Sequence, residues 1–213
     1  ATSVAILDHA AESGITFIDT ADIYPIGAPN GTWGITEEII GRWMKGKRDN
    51  FILATKCFAP TGPKPWHQGN SRHNIIRALD ESLRRLQTDY VDLFQVHFAD
   101  DRTPIDETLQ ALDDVVRSGK VRYVGCSNFL AYQLALAVGR SDYLRVSRFE
   151  SVQPRYNLLF REMEKVERGE DPIAVIRDPN HAMIDTNLQE SLDMQGAVPR
   201  EVLAAALGLH ALD

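Results

Sequence analysis

The sequence has few cysteines, no excess of basic residues and no long apolar run. Only two cysteines occur in 213 residues, Cys57 and Cys126, and both lie in apolar, strand-like segments. This argues against a disulfide framework and favours a reducing compartment, so we predict a cytoplasmic protein. The net charge of −7 provides no basic field for nucleic acid or an anionic membrane. No apolar run approaches the roughly 20 residues that a membrane span requires.

Motifs that would define two other kinds of site are also absent. No Gly-x-Gly-x-x-Gly follows the first predicted strand, so the dinucleotide fingerprint of a Rossmann sheet is missing. The histidines and cysteines show no metal-ligand spacing, and we expect no metal. The hydrophobic fraction of 44% and the charged fraction of 25% are ordinary for a soluble globular protein.

Strand-like and helix-like segments alternate along the chain. The predicted strands are short apolar runs at 15–20, 51–56, 90–97, 121–126 and 148–153. The predicted helices have amphipathic spacing and lie at 4–13, 37–46, 73–86, 105–118 and 130–139. Thr36 is the expected N-cap of the second helix. The alternation predicts parallel strands with right-handed crossovers, as in a TIM (β/α)8-type barrel, with about five βα units recognisable.

Polar side chains end or follow all five predicted strands. They are Asp19, Lys56, His97, the pair Ser127 and Asn128, and Gln153. Taken singly, each has an ordinary explanation, such as a solvated strand end or a hydrogen-bonded core histidine. In a barrel, however, the carboxyl ends of the strands meet at one mouth, where active sites are built. The set therefore predicts an active site at that mouth.

Five ordered segments of the chain resemble the aldo-keto reductase family. They are GITFIDTADIY (14–24), LATK (53–56), SLRRLQTDYVDLFQVH (82–97), GKVRYVGCSNF (119–129) and VQPRYN (152–157). The branch of long-chain bacterial reductases and potassium-channel β-subunits is the most similar. The resemblance implies a barrel enzyme that uses NADPH to reduce the aldehyde or ketone carbonyl of a small molecule.

The resemblance also implies a role for each matching residue. Tyr24 would donate a proton to the carbonyl oxygen, beside Lys56 in a salt bridge with Asp19. His97 would orient the carbonyl and assist proton delivery, and Asp19 would contact the cofactor as well. The nicotinamide carboxamide would be hydrogen-bonded by three further residues, Ser127, Asn128 and Gln153.

The proposed proton donor has to be tuned for this chemistry. A free tyrosine has a pKa near 10, which is about three units too high for easy proton exchange at neutral pH. We expect the Lys56 ammonium to stabilise the phenolate and lower the pKa of Tyr24. Asp19 would keep Lys56 charged and correctly directed.

Both ends of the sequence depart from the family pattern. The sequence begins with a predicted helix, and residues 164–213 match none of the family's closing strands or phosphate-binding residues. We therefore predict an incomplete barrel over 1–163 and an unassigned tail over 164–213. The choice of NADPH over NADH rests on the resemblance alone, and the sequence specifies no particular substrate. A homo-oligomer is compatible with the sequence, which does not define the oligomeric state.

Three hypotheses about function remain open at this point. The leading one is an NADPH-dependent carbonyl reductase. The second is a non-catalytic binding or regulatory subunit, because the channel β-subunits resembled here use the same scaffold as a partner protein. The third is a truncated, inactive derivative of a reductase, because the closing strands are not recognisable.

Overall fold

Residues 2–26 and 32–155, which the computed structural model describes, form a curled parallel sheet with helices between its strands. The strands are β1 (Phe17–Asp19), β2 (Ile52–Cys57), β3 (Val91–Val96), β4 (Val121–Ser127) and β5 (Ser151–Gln153). The helices are α1 (Thr2–Glu12), α2 (Ile35–Met44), α3 (Arg72–Leu86), α4 (Ile105–Arg117) and α5 (Ala131–Leu144). A short 3₁₀ turn at Arg48–Asn50 precedes β2.

The sheet has the order β1-β2-β3-β4-β5, and every neighbouring pair of strands is parallel. Each of the strands β1 to β4 is therefore followed by a crossover that returns the chain to the same end of the sheet. Within the described residues, these five parallel strands with helices between them confirm the predicted TIM-type (β/α) architecture. The proposed boundary near residue 163 and the tail 164–213 lie outside the described residues and stay predictions.

The core lies between the outer face of the sheet and the helices. Leu53, Phe94 and Val124 occupy central strands and are at most 1% exposed. Ile75 and Leu79 of α3 pack into the same cluster because their spacing of four residues places them on one helix face. Full burial of each such side chain contributes about 1.5–3 kcal/mol, and this cluster fixes the strands whose ends carry the polar residues.

The inner face of the sheet collects the polar residues predicted from the sequence. Residues two apart on a strand lie on the same face, so Gln95 and His97 point to the same side. The strand register pairs Lys56 with Gln95 and Ser127 with Gln153. Parallel pairing therefore carries these side chains to one end of the sheet.

The start of α2 differs from the sequence prediction. Gly34, with a φ of 82°, is the N-cap, so Thr36 lies inside the helix and is not its cap. The reason is a tertiary contact, since the Tyr24 carbonyl accepts hydrogen bonds from Gly34 N at 3.1 Å and Thr36 N at 3.3 Å. The helix N-terminus is thereby attached to the segment that carries Tyr24.

The two cysteines are buried and unpaired. Within residues 2–26 and 32–155, none of the helices combines the length and the apolar character needed to cross a membrane.

Candidate active site

An ion pair with a buried lysine forms the centre of the site. Lys56 is the penultimate residue of strand β2 and is only 1% exposed. Its Nζ donates to Asp19 Oδ2 at 2.6 Å and to the Thr20 carbonyl at 3.0 Å. A buried ammonium requires such partners, because an uncompensated charge in the interior is strongly destabilising. The β1–β2 register brings Asp19 to the neighbouring strand end, so the pair follows directly from parallel pairing.

Two side-chain amides also hold the Asp19 carboxylate. Gln153 Nε2 donates to Oδ2 at 3.1 Å, and Gln95 Nε2 approaches Oδ1 at 3.4 Å. Gln95 was not singled out from the sequence. The available signal was a polar residue in an apolar strand, two positions before His97 and therefore on the same face. With Gln95 included, residues from β1, β2, β3 and β5 converge on one carboxylate.

Tyr24 lies beside this pair, in the segment after β1. Lys56 Nζ is 5.7 Å from the centre of the Tyr24 ring, and the His97 ring meets that ring edge-on at 5.9 Å between centroids. Tyr24 N donates to the Ala21 carbonyl at 3.2 Å. The structure thus brings together the four residues predicted to be catalytic, Asp19, Tyr24, Lys56 and His97. Their catalytic roles stay predictions.

The pKa of Tyr24 moves in the direction opposite to our expectation. Burial raises the pKa of the Tyr24 phenol above its ordinary value, and the Asp19 carboxylate raises it further. The expectation of a lowered pKa was wrong because it left out the burial of the phenol. Removing the phenolate from water disfavours the ionised form, and the Asp19 carboxylate repels the phenolate as well. In this chain Tyr24 is a neutral phenol at pH 7.

His97 is also neutral at physiological pH. Burial, together with the nearby Lys56 ammonium, lowers the pKa of His97 to about 4, although Asp19 acts in the opposite direction. Its backbone N–H donates to the Cys57 carbonyl at 3.0 Å, and its ring stacks on Phe98 with centroids 5.0 Å apart. Nδ1 is buried and has no hydrogen-bond partner among the described residues. A neutral imidazole can hydrogen-bond a carbonyl group, but it cannot act as a resident acid at pH 7.

The three residues predicted to hold a carboxamide lie together at the ends of β4 and β5. Ser127 Oγ donates to the Gln153 carbonyl at 2.9 Å, and Asn128 Nδ2 donates to the His97 carbonyl at 3.1 Å. Asn128 has a φ of 55°, a left-handed conformation that asparagine tolerates better than most residues. The Asn128 backbone N–H donates to the Gln153 carbonyl at 3.2 Å, which fixes this turn beside β5.

This donor set is chemically suited to a primary carboxamide. A carboxamide offers one carbonyl acceptor and two N–H donors, and hydroxyl and side-chain amide groups can complement both. Ser127 is buried, whereas Gln153 is exposed, so this set of three residues is open to solvent in only part of its surface, on the Gln153 side. In the part of the chain that the structure describes, no cluster of three His, Cys, Asp or Glu side chains could hold a metal.

Comparison with known proteins identifies the relatives of this chain. The sequence model of the aldo/keto reductase family matches residues 1–171. The oxidoreductase YrpG of Bacillus subtilis (strain 168), whose function is uncharacterised, is 41% identical over 180 residues, covering 80% of this chain and 54% of YrpG. The aldo-keto reductase YhdN of the same organism is 39% identical over 166 residues, covering 77% of this chain and 46% of YhdN.

A third relative has a named substrate. The L-glyceraldehyde 3-phosphate reductase of Escherichia coli (strain K12) is 38% identical over 167 residues, covering 76% of this chain and 46% of that enzyme. The chain therefore spans about half the length of the curated relatives that it matches.

Proposed function

Because the chain belongs to the aldo/keto reductase family, we propose that it reduces aldehyde or ketone carbonyls to alcohols with NADPH. The observation that carries the proposal is the ion pair between the buried Lys56 and Asp19, beside Tyr24 and His97. A lysine with almost no solvent exposure needs such a partner, and this one lies where the carboxyl ends of the strands meet, which is where barrel enzymes build their active sites. The reductase names of the relatives support the same reaction class.

Tyr24 is the proposed proton donor to the carbonyl oxygen. Its raised pKa keeps the phenol protonated at neutral pH, which is the state that reduction requires. The same raised pKa makes the phenol a weak acid, so the phenolate formed by proton donation needs compensating charge. The Lys56 ammonium, 5.7 Å from the ring centre, supplies that charge at a fixed position.

His97 is the proposed orienting residue for the carbonyl. A neutral imidazole adjoining Tyr24 can hydrogen-bond the carbonyl oxygen without competing as a proton donor at pH 7. Asp19 fixes the direction of the ammonium, since two amides and Lys56 together restrict its carboxylate. These roles are positioning and electrostatic in nature, which is what a cofactor-dependent enzyme asks of its protein.

Ser127, Asn128 and Gln153 are the proposed partners of the nicotinamide carboxamide. NADPH, when bound, supplies the hydride that reduces the carbonyl carbon. The three side chains would set which face of the nicotinamide is directed toward Tyr24, and Asp19 would contact the cofactor as well. The preference for NADPH over NADH is part of the proposal, as are a cytoplasmic location and a homo-oligomer.

A phenylalanine substitution tests the role of Tyr24. Tyr24→Phe removes only the hydroxyl, and we expect carbonyl reduction to fall by at least ~100-fold, since general acid catalysis contributes about 10²–10⁴-fold. NADPH affinity, followed by nicotinamide fluorescence, should stay within about twofold because the carboxamide partners are unchanged. Tyr143→Phe is the matched control, because Tyr143 is 74% exposed on α5 and should keep full activity.

The outcomes separate the three hypotheses. A Tyr24→Phe chain with undiminished turnover would contradict the assignment of the proton donor. Binding of NADPH without turnover in the parent chain, together with stoichiometric binding to a partner protein, would favour the regulatory subunit. A folded chain that binds no NADPH would favour the inactive derivative.

A further inference from the structure

Asp22 is a fully buried carboxyl group without a hydrogen-bond partner. It lies in the turn between β1 and Tyr24 and is 0% exposed. Neither carboxyl oxygen has a hydrogen-bond partner among the described residues. Its backbone is well held, since Asp22 N donates to the Lys56 carbonyl at 3.0 Å. The same turn therefore joins the lysine strand to Tyr24, two residues later, with an unsatisfied acidic side chain beneath it.

Three ionisable side chains lie close enough to Asp22 to affect its pKa: Glu37 of α2, and Arg77 and Arg85 of α3. The Cys57 thiol of β2 also lies nearby, since Asp22 contributes to the raised pKa of that thiol. Burial raises the pKa of the Asp22 carboxyl well above its usual range, and Glu37 raises it further. The two arginines and the neighbouring Ile23 N–H, which lacks hydrogen-bond geometry to the carboxyl, act more weakly in the opposite direction.

Both arginines donate to other partners. Arg85 Nε donates to Glu37 Oε2 at 2.7 Å, so this buried cation and anion satisfy each other. Arg77 Nη2 donates to Thr61 Oγ1 at 2.8 Å and to Asn74 Oδ1 at 2.7 Å, whereas its Nε is buried without a partner among the described residues. Neither guanidinium is hydrogen-bonded to Asp22. An ionised Asp22 would therefore be a buried charge that no guanidinium contacts through a hydrogen bond, and proteins avoid such an arrangement by neutralising the group.

We propose that Asp22 is a positioning residue that the fold keeps as a neutral carboxylic acid, and that the turn holding Tyr24 keeps its shape only while Asp22 is uncharged. Ionisation would draw an arginine from its present partners or admit water beneath the turn. Either response displaces the segment that is bonded to the Lys56 carbonyl and leads into Tyr24. The neutrality of Asp22 is independent of the reaction, whereas its effect on turnover rests on the proposed function.

The charge state can be read directly from the Asp22 carboxyl carbon. In the full chain labelled with ¹³C-aspartate, the Asp22 signal is assigned by its loss in Asp22→Asn. We expect the chemical shift of a protonated carboxyl at pH 6, about two units above the ordinary aspartate pKa. An Asp22 carboxyl that titrates below pH 5 together with the exposed aspartates would overturn the proposal.

Stability gives an independent reading with a defined sign. Because the folded pKa is raised, the native state binds more protons than the unfolded state above about pH 4, so wild-type stability falls as pH rises through this window. Asp22→Asn lacks this loss. Its folding equilibrium constant relative to wild type should therefore rise by up to about tenfold per pH unit between pH 4.5 and pH 6. A ratio that does not change with pH would contradict a neutral Asp22.

Asp113→Asn is the matched control for this comparison. Burial alone would raise the pKa of Asp113, but hydrogen bonds from Ser147 and Arg117 outweigh it and lower the pKa. Asp113 is thus ionised in both states over pH 4.5–6, and the effect of its substitution should be constant across that range. A parallel rise in both variants would reveal a nonspecific cause and would count against the proposal.

The positioning role has its own measurement. Protection of the Tyr24 amide against hydrogen exchange should fall along the Asp22 carboxyl titration in wild type and stay level in Asp22→Asn. The kcat of wild type should show an alkaline loss at the same pH that Asp22→Asn lacks. Unchanged protection through a completed Asp22 titration would refute the positioning role even if no carbonyl reduction were detected, and absent reduction alone would refute only the proposed function.

Discussion

The Lys56–Asp19 pair predicts an unequal response to removing either partner. Asp19→Asn removes one charge and leaves the Lys56 ammonium, whose side chain is 2% exposed, with the Thr20 carbonyl as a neutral partner. Breaking a buried pair in this way costs about 3–5 kcal/mol. For Asp19→Asn we expect the free energy of unfolding to fall by about 2–3 kcal/mol. This loss lies toward or below the low end of that range because the Asp19 side chain is 28% exposed and asparagine keeps an acceptor oxygen.

Lys56→Met should cost less. Methionine fills a similar volume, and the remaining Asp19 carboxylate keeps the Gln153 and Gln95 amides and some contact with water. The main loss is the donor to the Thr20 carbonyl, which is worth about 1 kcal/mol. In the double variant Asp19→Asn/Lys56→Met no uncompensated ammonium remains, so it should be more stable than Asp19→Asn alone.

Urea unfolding of the four proteins at pH 7 measures these differences in stability. If the dependence of the unfolding free energy on urea is the same for all four, the midpoint urea concentration ranks their stabilities. The expected order of stability is wild type, Lys56→Met, the double variant and Asp19→Asn. Asp19→Asn as stable as Lys56→Met, or a double variant whose loss equals the sum of the single losses, would refute the reasoning. Additive losses would mean that the ammonium and the carboxylate do not depend on each other.

Two further predictions concern His97 and two helical glycines. The His97 pKa of about 4 lies below the value near 6.5 expected in the unfolded chain, so the unfolded state binds more protons between these two pH values. His97 should therefore lower the free energy of unfolding by about 3 kcal/mol as pH falls from 6.5 to 4. The stability difference between His97→Gln and wild type, measured by urea unfolding at several pH values, should shrink or reverse as pH falls, and a pH-independent difference would contradict the neutral imidazole. Gly41→Ala should destabilise by more than about 2 kcal/mol, since the added Cβ would lie 2.4 Å from the Arg85 carbonyl oxygen, which is backbone. Gly139→Ala, with open space around it on α5, should stabilise by up to about 1 kcal/mol, and melting temperatures that move in the same direction for both variants would contradict this steric account.

The sequence predicted the elements and the convergence of the candidate site residues because both depend on local pattern. Apolar runs that end in Lys56, His97 and Gln153 require only strand periodicity and the convergence of parallel strand ends. Helix α5 continues through Gly139 to Leu144 rather than ending at residue 139, and it ends at Arg145, which adopts the left-handed conformation.

Three features could not be obtained from pattern alone because they depend on tertiary contacts. The start of α2 at Ile35 depends on hydrogen bonds to the Tyr24 carbonyl, which lies well before the helix along the chain. The raised pKa of Tyr24 depends on burial and on the nearby Asp19 carboxylate. The isolation of Asp22 depends on how two arginines of α3 are shared among other partners.

The most direct test of the central claim is NADPH consumption by the full chain, with glyceraldehyde and an aromatic aldehyde as probes, compared with Tyr24→Phe. The account predicts saturable, aldehyde-dependent oxidation of NADPH by the parent chain and a loss of at least ~100-fold in the variant, with alcohol formed in equal amount. Equal turnover by both proteins, or no aldehyde-dependent oxidation by a folded chain that binds NADPH, would contradict it.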